Sequence, residues 1–183
     1  MTNPHKEFPM SRFILFCFIV IFGFFVAKAN GPSKSSVKSI AEEMAEATIQ
    51  GDFGRVVDYT YSPALKKAPP RKEMIKLIED TFKRMKDNGF LLTKYEVGDP
   101  GRFHTQGDNT FVIIPATAEM KFSAGKIITN SYLLGISSDS GKSWKFVDGQ
   151  GLADTNGRDS VLPPMPATLT LPIVGKPKII KDE

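Results

Sequence analysis

The sequence predicts an α+β fold in which three N-terminal helices pack on a strongly curved antiparallel sheet, a cone-like roll. Three observations carry that expectation. Apolar residues recur at helical spacing from Val37 to Met85, the period falls to two after Gly89, and helical periodicity does not return downstream. A block of helices followed by a block of strands is the α+β arrangement.

Ahead of the first helix, Phe13 to Ala27 reads FILFCFIVIFGFFVA, preceded by Lys6 and Arg12 and followed by Ala27-Lys28-Ala29. A basic start, an apolar stretch and a small-x-small end is the order of a secretory signal. The stretch is shorter than the ~20 apolar residues that a spanning helix needs. Residues 1–29 are therefore expected to be a signal peptide that directs the chain to a periplasmic or secreted location. The alternative is an uncleaved anchor over residues 12–29, which would be the chain's contact with a membrane. Translation starting at Met10 would give a more usual signal than Met1. Cys17 is the single cysteine, and Phe16 before it is too large for a lipoprotein site. Cleavage after Ala29 would leave no thiol for disulfides, catalysis or metal.

Residues 30–35 (NGPSKS) form a linker, and residues 36–152 the domain. In the first helix Val37, Ile40, Ala41, Met44 and Thr48 share a stripe that Gly51 ends. Asp52 caps a second, with Phe53, Val56, Val57 and Thr60 on one side and Ser62-Pro63 as the stop. Pro69-Pro70 opens a third, striped by Met74, Ile78, Phe82 and Met85 and stopped by Asn88-Gly89.

Strands are expected over Phe90–Val97, Phe103–Gln106, Thr110–Phe122, Ile127–Ser137 and Ser143–Asp148, each bounded by turn residues. In the long third strand Val112, Ile114, Ala116, Ala118, Met120 and Phe122 alternate to one side. Pro115 is expected at a bend or bulge, because it has no N–H for the ladder. Residues 153–183 form a proline-rich C-terminal strap. Leu162, Leu169, Leu171, Ile173 and Val174 are expected to lie on the domain, with a partner-binding extension as the alternative. Lys176 to Glu183 is expected to stay mobile.

Few motifs carry chemistry. Ser137 to Trp144 (SSDSGKSW) fits the Asp-box spacing S-x-D-x-G-x-x-W of sialidases and other propeller proteins. One box in a chain of 183 residues is no propeller, which needs one per blade. Asp139, Gly141 and Trp144 are therefore read as a structural turn: a carboxylate accepting backbone N–H groups, a glycine at positive φ and an aromatic packed beneath. His104 is the one histidine beyond the signal, without the second histidine or spaced carboxylates that a metal site or triad requires. No metal and no cofactor is expected. Tyr59, Tyr61, His104 and Asp148 are the candidate pocket residues, with a plainer core-edge role for the tyrosines and an exposed hairpin for His104. Lys66, Lys67, Arg71 and Lys72 crowd one segment and are read as a solvated helix start. The formal charge of +4 halves once Lys6, Arg12, Lys28 and Glu7 are set aside, which argues against a nucleic-acid partner.

AEEMAEATIQGDFGRVVDY (Ala41–Tyr59), then a third helix and a meander ending in SWKFVDG (Ser143–Gly149), resembles the nuclear transport factor 2-like (cystatin-like roll) superfamily over about Ser36 to Leu152. The resemblance implies helices closing the mouth of a cone with a pocket inside, and a sheet whose outer side forms dimers in many members. Enzyme members place Tyr, Asp or His inside the cone. The first helix here carries neither Tyr nor His, and the hairpin before the third helix is compressed into Tyr59–Ala68, so no catalytic residue carries over.

The expected function is accordingly an exported, non-catalytic domain that binds a small apolar ligand or a protein partner through its cone or sheet. A proton-transfer enzyme of isomerase or dehydratase type would use His104 or Asp148. Trp144, Phe146 and Asp148 share one side of the last strand, so that reading depends on which way the side points. An envelope assembly or scaffold protein, a homodimer among them, is the third class.

Overall fold

A computed structural model describes residues 31–61, 69–152 and 162–182. The expected signal segment, Lys66 and Lys67, and the start of the C-terminal extension lie outside the described residues. Three helices come first, α1 (Lys34–Gln50), α2 (Phe53–Tyr59) and α3 (Arg71–Asp87). Ser33 caps α1 by accepting from the Ser36 N–H, and Gly51 ends it at φ 73°, a left-handed conformation that favours glycine. Asp52 caps α2 through the Arg55 N–H.

The sheet has six strands, β1 (Leu91–Val97), β2 (His104–Gln106), β3 (Asn109–Phe122), β4 (Gly125–Ser137), β5 (Lys145–Asp148) and β6 (Lys178–Lys181). All its strand pairings are antiparallel, with one isolated parallel bridge between Thr60 and Phe146. The β3–β4 hairpin runs through the middle, turning on Ser123-Ala124. Each long strand carries two short ones end to end on its outer edge. β2 and β1 pair with successive parts of β3, and β5 and β6 with successive parts of β4.

Two corrections to the sequence reading follow. Pro115 pairs with Tyr132 in unbroken register, and the register shift falls in β1, between Leu92 and Lys94. The N and C=O of one residue in an antiparallel strand point the same way. The Pro115 carbonyl accepts from the Gly98 N–H at 2.8 Å, just past the end of β1, so its ring nitrogen faces the gap between β1 and β2 where no ladder donor is missed. Part of the segment expected to be mobile is also a strand. Lys178–Lys181 pairs with Gly125–Ile128 as β6, because the edge of β4 beyond β5 would otherwise present unpaired backbone groups.

Two clusters sandwich the sheet. On the helix side Val112, Ile114, Leu133, Trp144 and Phe146 pack with Val37, Ala41, Met44, Ala47 and Val56. On the outer side Phe111, Tyr132, Leu134, Ile136 and Leu152 are covered by Leu162, Met165, Leu169, Leu171 and Val174. Ile173, between two of these, is 98% exposed. Among the described residues no helix is long and apolar enough to cross a membrane.

Candidate functional site

Alternation along β3 and β4 builds the site. Register places Ala116 opposite Ser131, Ala118 opposite Thr129 and Met120 opposite Ile127, all on the side that faces the helices. The preceding residues on that side, Val112 and Ile114, are fully buried, whereas Ala116 and Ala118 leave room. The helices do not fill it. α3 has no fully buried residue and is attached through α2, with Phe82 against Phe53 at 4.8 Å and the Arg71 guanidinium forked onto Asp58 at 2.8 Å for both bonds.

The result is a cavity of about 650 Å³. Ala116, Ala118, Met120, Ile127, Leu92, Phe82 and Met85 give it apolar walls, and Pro177 and Ile179 bring β6 to its rim. Thr48 and Thr129 also line it, and its hydrogen-bonded polar group centres on Asp148. Asp148 enters from the end of β5, paired with Leu133 and so on the helix side with Trp144 and Phe146. Its Oδ1 accepts from the Gln150 N–H at 2.7 Å and from the Ser131 hydroxyl at 3.3 Å. The Tyr95 hydroxyl donates to Oδ2 at 3.4 Å. Burial first, then the charge and hydrogen bond of Asp148, push the Tyr95 phenol well above its ordinary pKa. Tyr95 therefore stays protonated and acts as a donor.

Asp148 is the one sequence candidate that the structure brings to this cavity. Tyr59 joins α2 to α1, its hydroxyl donating to Glu43 Oε2 at 2.5 Å beside Arg55. Tyr61 packs into the outer cluster, and burial raises its pKa. His104 pairs with Phe111 on the outer side, at 3.0 Å from the Thr168 hydroxyl and 3.2 Å from Arg102 Nε. Partial burial and the Arg102 charge lower its pKa. The sheet thus separates His104 from Asp148, and an acid–base pair made of the two is ruled out.

Tyr95 was not among the sequence candidates, although the pattern K-Y-E-V carries the signal. Lys94 and Glu96 are exposed, and alternation turns Tyr95 between them inward. The β1 register shift hid it, because strict alternation from Phe90 gives the opposite parity.

The Asp-box residues lie away from the cavity. Asp139 Oδ1 accepts from the Lys142 and Ser143 N–H groups at 3.0 and 2.9 Å, and Oδ2 from the Ser143 hydroxyl at 2.6 Å. These bonds hold its pKa down at about 2, with the Ser143 hydroxyl contributing most. Gly141 takes φ 87°, and a Cβ there would meet Pro32 Cα at 2.6 Å. Trp144, 2% exposed, donates its indole N–H to the Gly141 carbonyl at 3.2 Å. The turn thereby seats the start of α1 on the sheet.

Fold and site together define an α+β domain with a hollow, mostly apolar interior around one carboxylate. Comparisons with family models, curated proteins and solved structures found no match for the chain.

Proposed function

We propose that the chain is an exported, non-catalytic domain of the nuclear transport factor 2-like kind that holds a small apolar ligand between its helices and sheet. One observation carries the reading: a cavity of about 650 Å³ with mostly apolar walls and one carboxylate among its described lining residues. That volume lies within the ~300–1,000 Å³ usual for small-molecule sites, where a few placed polar groups orient an apolar ligand. The outer side of the sheet is the weaker choice, since residues 162–174 of the chain itself lie on it. Export rests on Phe13 to Ala29 alone. Three helices preceding an antiparallel sheet support the family resemblance.

The test is binding of an apolar fluorescent probe that brightens out of water. Ala118→Phe, placed in the cavity floor, should abolish the bright signal while leaving the circular dichroism unchanged. Equal brightening of both proteins would rule the cavity out as the site. For export, mass spectrometry should find a chain beginning at Asn30, and intact residues 1–29 in a cytoplasmic fraction would refute it.

The Tyr95–Asp148 pair favours a second reading, proton transfer at carbon, with Asp148 as base and Tyr95 as hydrogen-bond donor to the developing oxyanion. Exchange of an α-proton of a bound ketone with deuterated solvent, lost in Asp148→Asn, would establish it. Absence of exchange with ketones that demonstrably bind would leave the binding role.

A further inference from the structure

The charge pattern of the cavity discriminates among the head groups that a ligand there could carry. Among the described residues Asp148 is the one carboxylate that lines the cavity, and no described Lys, Arg or His lines it with Asp148. Nor does Asp148 take part in any ion pair among the described residues. Lys83 and Lys86 of α3 line a neighbouring groove instead, and Lys83 is held by Asp87 at 2.6 Å.

The hydrogen bonds of Asp148 leave one oxygen underused. Oδ1 takes two donors, the Gln150 N–H and the Ser131 hydroxyl. Oδ2 takes one long bond from Tyr95, while a carboxylate offers about four acceptor positions in all. An apolar pocket with a carboxylate that no described cation pairs is complementary to a cation bearing an apolar body. Asp148 is half-buried, so a ligand amine that reaches it adds a charge-assisted hydrogen bond to those the protein makes.

We propose that the ligand is an amphiphilic amine, its protonated amino group donating to Asp148 Oδ2 and its hydrocarbon body lying against Ala118, Met120 and Ile127. The inference rests on the cavity being a ligand site. An alcohol of the same body makes the hydrogen bond without the charge, and a carboxylate is repelled. The ranking amine, then alcohol, then acid is therefore the signature of the site.

The experiment is calorimetric titration, at neutral pH, of the protein as recovered from cells with decylamine, decanol and decanoate, which share one tail. Decylamine should bind at least about tenfold more tightly than decanol, as a charge-assisted hydrogen bond exceeds a neutral one, and decanoate should bind most weakly. In Asp148→Asn, which keeps an acceptor for Gln150 and Ser131, decylamine should fall to the affinity of decanol. Equal binding of all three, or tighter binding of the acid, overturns the amine assignment while leaving the ligand site intact. Failure of all three to bind overturns both. The ranking on the unsubstituted protein decides the proposal even where Asp148→Asn does not fold.

Discussion

One hairpin, β3–β4, is packed solid over half its length and hollow over the rest. Over the packed half Val112 and Ile114 meet Trp144, Phe146 and the Val37–Met44 stretch of α1. Gly135 lies between them, and a Cβ there would sit 2.9 Å from Val112 Cγ1 and 3.3 Å from Phe146 Cε1. Over the hollow half the same side of β3 carries Ala116 and Ala118, and Thr48 and α3 side chains stand across a cavity. The ladder between β3 and β4 is continuous through both halves. A continuous ladder thus holds the backbone where side chains do not, which favours a pocket staying open on that side of the sheet.

The comparison breaks most visibly at Phe146, which is fully buried. Truncation to alanine leaves a hole that the rigid surroundings cannot close, and Phe146→Ala should cost about 3–5 kcal/mol in urea unfolding. A cost below about 1 kcal/mol would mean that the packed half is as loose as the hollow one.

Adding one methyl should separate the halves next. Gly135→Ala should destabilise by about 1–3 kcal/mol through overpacking, since Val112 and Phe146 have no space to retreat into. In the hollow half Ala118→Leu adds more volume, yet it should change stability by less than about 1 kcal/mol in either direction while reducing ligand binding. Similar losses at both positions would show that the cavity closes in solution.

The Asp139 turn offers a smaller, pH-dependent test of what holds the packed half to α1. Its carboxyl has a pKa near 2 in the folded chain against about 3.9 in an unfolded one. The unfolded state binds more protons between these values, so stability rises with pH there and is lost as pH falls from about 4 toward 2. Asp139 is exposed, so water screens the effect and the slope should be shallow. Asp139→Asn should remove this slope above pH 2 and lower the melting temperature slightly at pH 7, both readable by calorimetry. An unchanged pH profile would show that the turn is held by Ser137 and Gly141 alone.

Much of the fold was legible because it is locally encoded. Asp52 and Gly51 mark helix ends through their own backbone chemistry, and SSDSGKSW forms its turn from bonds within the segment. The site was legible in part. Asp148 and its shared side with Trp144 and Phe146 follow from alternation, but Tyr95 was concealed by the register shift at Leu92–Lys94. Tyr59 and His104 carry the residue types of a pocket yet serve helix packing and the outer side, a distinction absent from their spacing.

The sequence by itself determined the helix block, the strand block, the caps, the turns and the alternation that puts Ala116 and Ala118 on one side. Local periodicity and backbone preference act over a few residues and need no distant partner. Only the tertiary structure decided that Lys178–Lys181 closes the sheet edge, that Pro115 faces a gap and that Asp148 meets Tyr95 and Ser131 around a hollow. Each of these depends on strand register and on which segments meet from far along the chain, and register is a property of pairs of strands.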